Sequence, residues 1–171
     1  MTGVQTCALP ISATDALAAR APVHILINNT GGPPGGPAHA APVEAYVDAF
    51  QKHLVANQTL VQALLPGMRA ARRGRIVNVI STSVYEPIPN LGVSNTIRGA
   101  VASWAKTLSR ELGGDGITVN NVLPGYTRTR RLEQILADRS AATGKSPEEV
   151  AEAMLATVPP GVSPTRRNPR T

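Results

Sequence analysis

Four side chains in this sequence have types and spacings suited to chemistry: Ser81, Ser94, Arg98 and His53. Ser94 and Arg98 stand four residues apart, which on a helix puts hydroxyl and guanidinium on one face. A guanidinium stays charged, so Arg98 can donate hydrogen bonds and stabilise negative charge but cannot relay a proton. A serine hydroxyl is a far weaker acid than a tyrosine phenol, whose pKa is about 10. His53 belongs to the residue type that shuttles protons near neutral pH. Each also has a plainer reading. Ser81, within Ser81-Thr82-Ser83, fits a helix cap or turn, and a lone helical histidine is more often structural than catalytic.

The elements that must position these groups follow a βα rhythm. Val23-His24-Ile25-Leu26-Ile27, Ile76–Ile80 and Ile117–Val122 are short apolar runs that suit buried strands. Polar or turn residues close each run: Asn28-Asn29-Thr30-Gly31, Ser81, and Pro124-Gly125. The carboxyl edge of a parallel sheet is where doubly wound folds bind ligands. Gly31–Pro37 cannot hold regular structure and is expected as a loop. Apolar residues at Val43, Val47, Phe50, Leu54, Leu60, Leu64 and Leu65 predict a helix from Val43 to about Met68. Ile97, Val101, Trp104, Ala105 and Leu108 predict a second over Val93–Leu112, stopped by Gly113-Gly114. Further helices are expected at Arg131–Ala142 and Pro147–Ala156. The second opens on Ser146-Pro147-Glu148-Glu149, with a capping serine, proline at the first position and glutamate three after the cap. The fold class is therefore α/β, a partial doubly wound parallel sheet of about three strands with helices on both faces and right-handed crossovers.

Composition narrows the function classes. A chain of 171 residues fits one domain with a real core, 42% hydrophobic but only 3% aromatic, so Ala, Val, Leu and Ile must fill it. No apolar run approaches the roughly 18 residues of a membrane span. The single Cys7 excludes an internal disulfide and fits a reducing, cytoplasmic compartment. The formal charge of +6 gathers in Arg69, Arg72, Arg73 and Arg75 at a predicted helix end and in Arg166, Arg167 and Arg170. Cations at a helix C-terminus oppose the dipole, and no aromatic platform accompanies them, so nucleic-acid binding is not expected. No metal site is expected either.

Taken together, Asn28-Asn29-Thr30-Gly31, Ser81, Ser94-x-x-x-Arg98 and Pro124-Gly125-Tyr126-Thr127 resemble, in order and spacing, the catalytic half of the short-chain dehydrogenase/reductase family. In that family the first motif reads Asn-Asn-Ala-Gly, which implies that its first positions support the sheet while its backbone runs beside the cofactor. The resemblance runs from about Asp15 to Gly161 and is closest to 3-oxoacyl-carrier-protein-reductase-like members. It implies an oxidoreductase that interconverts a carbonyl and an alcohol by hydride transfer with NAD or NADP. It further implies that Ser81 positions the substrate carbonyl and its developing oxyanion. Cofactor contacts are implied at Asn28, Asn29, Thr30, Gly31, Ile80, Ser94, Arg98, Pro124, Gly125 and Thr127. Where the family places Tyr-x-x-x-Lys, this chain has Ser94 and Arg98, so its proton donor is unassigned. The family's proton-relay asparagine aligns with His53, with Asn57 and Tyr85 as weaker stand-ins. A catalytically lapsed nucleotide-binding or regulatory descendant is the alternative. Helices at 131–156 are expected as a lid over a fairly apolar substrate, and the two long helices as the pairing surface of a homodimer or homotetramer.

Both ends read as foreign to this pattern. Met1–Ser12 shows no periodicity and reads as a non-native leader. From Val162 a basic tail replaces the family's continuation, and a one-base shift after Gly161 could restore Arg-Phe-Ala-Asp. No glycine-rich pyrophosphate turn precedes Val23, and the Val23 strand is expected to present an unpaired apolar edge. The polypeptide alone is therefore expected to be poorly soluble and to bind no dinucleotide.

Overall fold

A computed structural model describes residues 22–156 of the chain, and the expected leader Met1–Ser12 and basic tail Val162–Thr171 lie outside them. Two compact units divide at Leu123 and Pro124. The first holds three strands, β1 (Ile25–Asn28), β2 (Gly74–Val79) and β3 (Ile117–Val122). They form one parallel sheet in the order β1-β2-β3, with Leu26 beside Ile76 and Ile76 beside Val119. Between β1 and β2 run helix α1 (Val43–Phe50), a π turn (Gln51–Val55) and helix α2 (Ala56–Ala70). Between β2 and β3 runs helix α3 (Gly92–Leu112).

Because strand side chains alternate, one set faces the helices and the other faces away. Ile76, Ile117 and Val119 pack with Val61, Leu64 and Met68 of α2 and Ala105 and Leu112 of α3 into the main core. Trp104 Nε1 donates to Gln58 Oε1 at 2.9 Å, joining α3 to α2. Among the described residues of this unit, the covered side is one face only. The opposite set, Ile25 and Ile27 at 61% and 64% exposure and Val122, stays open, so helices on both faces are met on one. As expected, β1 is an edge strand.

Two local expectations change in detail. The predicted helix from Val43 to Met68 is interrupted by the π turn, which inserts a wider backbone loop and turns His53 inward, leaving it 1% exposed. Gly113-Gly114 does not stop α3 by itself. It enters a 3-10 turn (Gly113–Asp115), and the left-handed residue is Gly116 at φ 75°, where a Cβ would lie 2.3 Å from the Arg72 carbonyl oxygen. The basic cluster is spent on this junction. Arg69 Nε meets Asp115 at 2.8 Å, and Arg72 and Arg75 donate to the Gly114 and Gly116 carbonyls.

The second unit contains helix α4 (Arg130–Thr143) and helix α5 (Pro147–Leu155), which pack on each other. Gly144, at φ 70°, ends α4. The capping box at α5 is formed as read: Glu149 N donates to Ser146 Oγ, and Ser146 N to the Glu149 carboxylate at 2.8 Å.

Candidate active site

Polar side chains are buried where the strands of the first unit end. Asn28, Asn78 and Asn121 share one register, and their side chains form a ladder across all three strands. Asn28 Nδ2 donates to Asn78 Oδ1 at 2.8 Å, and Asn78 Nδ2 to Asn121 Oδ1 at 3.1 Å. Asn28 is thus a strut of the sheet, as the plainer half of its family role implies. Asn78 and Asn121 were missed by the sequence reading. The signal was available in an asparagine near the end of each apolar run, at positions that alternate onto the helix-facing side.

Beyond the ladder, three residues touch. Thr30 Oγ1 hydrogen-bonds His53 Nδ1. Arg98, buried on α3, donates through Nη1 to the Val79 carbonyl at 2.9 Å and through Nη2 to the Thr30 carbonyl at 3.4 Å. The guanidinium therefore bridges the carboxyl ends of β1 and β2, a buried charge satisfied by backbone acceptors. Burial first, then the nearby Arg98 and Lys52 charges, lower the His53 pKa from 6.5 to about 4. With its pKa so lowered, the ring is neutral at pH 7.

Ile80 is buried and its N–H donates to the Val122 carbonyl at 2.9 Å, so Ser81 leaves the sheet directly beyond β2. Ser81 caps a 3-10 turn (Thr82–Val84), its Oγ accepting Ser83 N–H at 3.1 Å. The cap reading is realised, and the hydroxyl proton remains a donor. Ser94 is half-buried on α3, one turn before Arg98. The loop after Gly31 is fastened to the start of α3: Gly36 N donates to Asn90 O at 2.7 Å and Gly92 N to Gly36 O at 3.0 Å. Gly92 is required there, since a Cβ would lie 2.4 Å from Ala38 Cα. Asn57 is buried and Tyr85 is 84% exposed. Asn29 and Gly31 are exposed, and a Cβ at Gly31 would meet nothing within 4 Å, leaving space beside the strand end. Pro124, Gly125 and Thr127 belong to the second unit, where Thr127 Oγ1 donates to the Gly125 carbonyl at 3.4 Å. Among the described residues, no group of three His, Cys, Asp or Glu could hold a metal ion, and no helix is long and apolar enough to cross a membrane.

The short chain dehydrogenase family profile matches residues 11–140, and the chain belongs to that family. It is 32% identical over 123 residues to the 3-oxoacyl-acyl-carrier-protein reductase FabG of Vibrio cholerae, covering 71% of this chain and 50% of the relative. Among solved structures it is similar to an actinorhodin polyketide ketoreductase with NADPH, at 29% identity and TM-score 0.81 over 91% of this chain and 61% of that one. A sorbitol-6-phosphate 2-dehydrogenase from Erwinia amylovora shares the fold at TM-score 0.81 and 18% identity, over 90% of this chain and 61% of that one. The chain spans about half the length of the curated relatives it matches.

Proposed function

We propose that this chain is part of an NAD- or NADP-dependent oxidoreductase that interconverts a carbonyl and an alcohol by hydride transfer. The observation that carries the reading is the Arg98 guanidinium, held at the joint carboxyl end of β1 and β2, one helical turn after Ser94 and at the strand end that leads into Ser81. The residues fit a nicotinamide nucleotide in two respects. Gly31 leaves open space beside the strand end, and the hydroxyls and guanidinium are donors suited to ribose and carboxamide oxygens. Asn29, Thr30, Gly31, Ile80, Ser94 and Arg98 would hold it from this unit. When bound, the nicotinamide supplies or accepts the hydride.

The chain's own part is electrostatic. Ser81 and Ser94 would donate to the substrate oxygen as negative charge develops, and Arg98 would favour that charge through its fixed positive one. Neither Ser94 nor Arg98 is a proton donor of tyrosine's strength, so neither supplies the proton that completes the alcohol. The substrate class is a small, fairly apolar ketone or alcohol. The apolar groove of Tyr46, Val47, Phe50 and Ile97, and the exposed Val43 beside it, support pairing of two copies through α1–α2 and α3. The location proposed is the cytoplasm.

The test is turnover by the whole protein against a panel of ketones with NADH or NADPH, alongside Ser81→Ala and Ser94→Ala. Reduction by the parent, lost about 100-fold or more in the variants, is expected for removed oxyanion donors. No turnover with any ketone would favour the lapsed, nucleotide-binding alternative, to which the Ser94-x-x-x-Arg98 departure points.

A further inference from the structure

We propose that His53 is a positioning residue: its Nδ1 accepts the Thr30 hydroxyl, and the Thr30 carbonyl in turn holds the Arg98 guanidinium at the rim. What Arg98 does once held rests on the oxidoreductase reading; the chain of contacts does not.

Three positions at which this sequence departs from the family's pattern meet in space. Thr30 stands where the Asn-Asn-Ala-Gly motif has alanine, His53 stands for the helix asparagine, and Arg98 for the lysine. The contacts between them make the three changes one unit. With alanine at 30, the buried Nδ1 would lose its partner, and a buried acceptor without a donor is costly. With threonine at 30, the hydroxyl rotates to donate to Nδ1, and the ring proton goes to Nε2. The π turn supplies the geometry by swinging His53 inward toward the strand end. The charged groups that bear on the ring are Arg98 from α3 and Lys52 from its own turn, both cations, so both resist its protonation. A ring so placed keeps one charge state and one tautomer throughout the neutral range. The residue at the family's relay position therefore fixes geometry here rather than moving a proton.

The experiment is long-range ¹H–¹⁵N correlation of the imidazoles in the ¹⁵N-labelled whole protein, with the His53 signals assigned by their disappearance in His53→Asn. The neutral tautomer protonated at Nε2 is expected, with a midpoint well below 6.5. Thr30→Val should mix the tautomers and raise the midpoint by about half to one unit, the worth of one hydrogen bond to the neutral form. Thr30→Ser should restore both, and a melting curve confirms that each variant is folded. His53→Asn, which offers an oxygen close to where Nδ1 stands, should keep the shifted Arg98 side-chain N–H signals that His53→Leu loses. A proton on Nδ1, or a Thr30→Val protein with tautomer and midpoint unchanged, would overturn the proposal. None of these readouts needs turnover, so an inactive enzyme would refute the oxidoreductase reading without touching this one.

Discussion

The amino end of the three-stranded sheet is packed with apolar side chains, whereas its carboxyl end buries amides, an imidazole and a guanidinium. At the first end a Cβ added to Gly74 would lie 2.7 Å from Met68 Sδ and 3.0 Å from Ile117 Cγ2, so volume alone decides what fits. Four residues along the same strand, Asn78 is decided by hydrogen bonds instead, and so is the Thr30–His53–Arg98 cluster beyond the strand ends. The two ends respond to different insults. An apolar core loses stability smoothly as volume is removed, while a polar one loses it when a single partner goes. Sites with work to do are where a chain departs from the simplest packing rule.

The largest effect should come from hollowing the apolar end. Ile76→Ala, at a fully buried position, is expected to cost about 2–5 kcal/mol in urea denaturation, and Ile76→Val about 0.5–1.5. Equal costs for the two would show that volume does not govern that end. Acid should unmake the polar end. The unfolded His53 binds a proton near pH 6.5 and the folded one only near 4, so between those values the unfolded state holds more protons. Stability is full above 6.5 and falls as the pH drops through this window, by up to about 3 kcal/mol at 1.4 per unit. His53→Asn, which does not titrate, should flatten that slope in chemical denaturation run from pH 7 to 4.

Cutting the ladder comes next. Asn78→Ala strands the Asn28 amide and the Asn121 carbonyl oxygen, at about 1–3 kcal/mol, and amide exchange should quicken at the ends of β1 and β3 more than in the apolar core. Uniform quickening would mean the ladder is not a local strut. The smallest effect belongs to the second unit. Ser146→Ala removes one cap from α5, about 1 kcal/mol, and should leave the His53 signals unmoved.

Much of this arrangement was legible in the sequence, for identifiable reasons. Three apolar runs closed by polar residues announced β1, β2 and β3, and the Ser146–Glu149 spacing announced its cap, because both depend on neighbours in the chain. The pairing of Ser94 with Arg98 on one helix face followed from the four-residue interval. What the sequence hid was long-range. The asparagine ladder joins residues about fifty positions apart, and the neutral state of His53 comes first from burial beneath other elements and then from the charges of Arg98 on another helix and Lys52. The π turn was hidden for a related reason: the apolar pattern of 43–68 runs on at helical spacing through it. The open face with Ile25 and Ile27 also escaped, since an apolar run reads alike whether one or both of its faces are covered.

If, as proposed, Arg98 stabilises charge where hydride is exchanged, deuterium from a 4-deuterated reduced dinucleotide should appear on the product alcohol with the wild-type whole protein at saturating cofactor. In Arg98→Ala the transfer should be about 10²–10³ slower. Equal rates in the two proteins would refute that role.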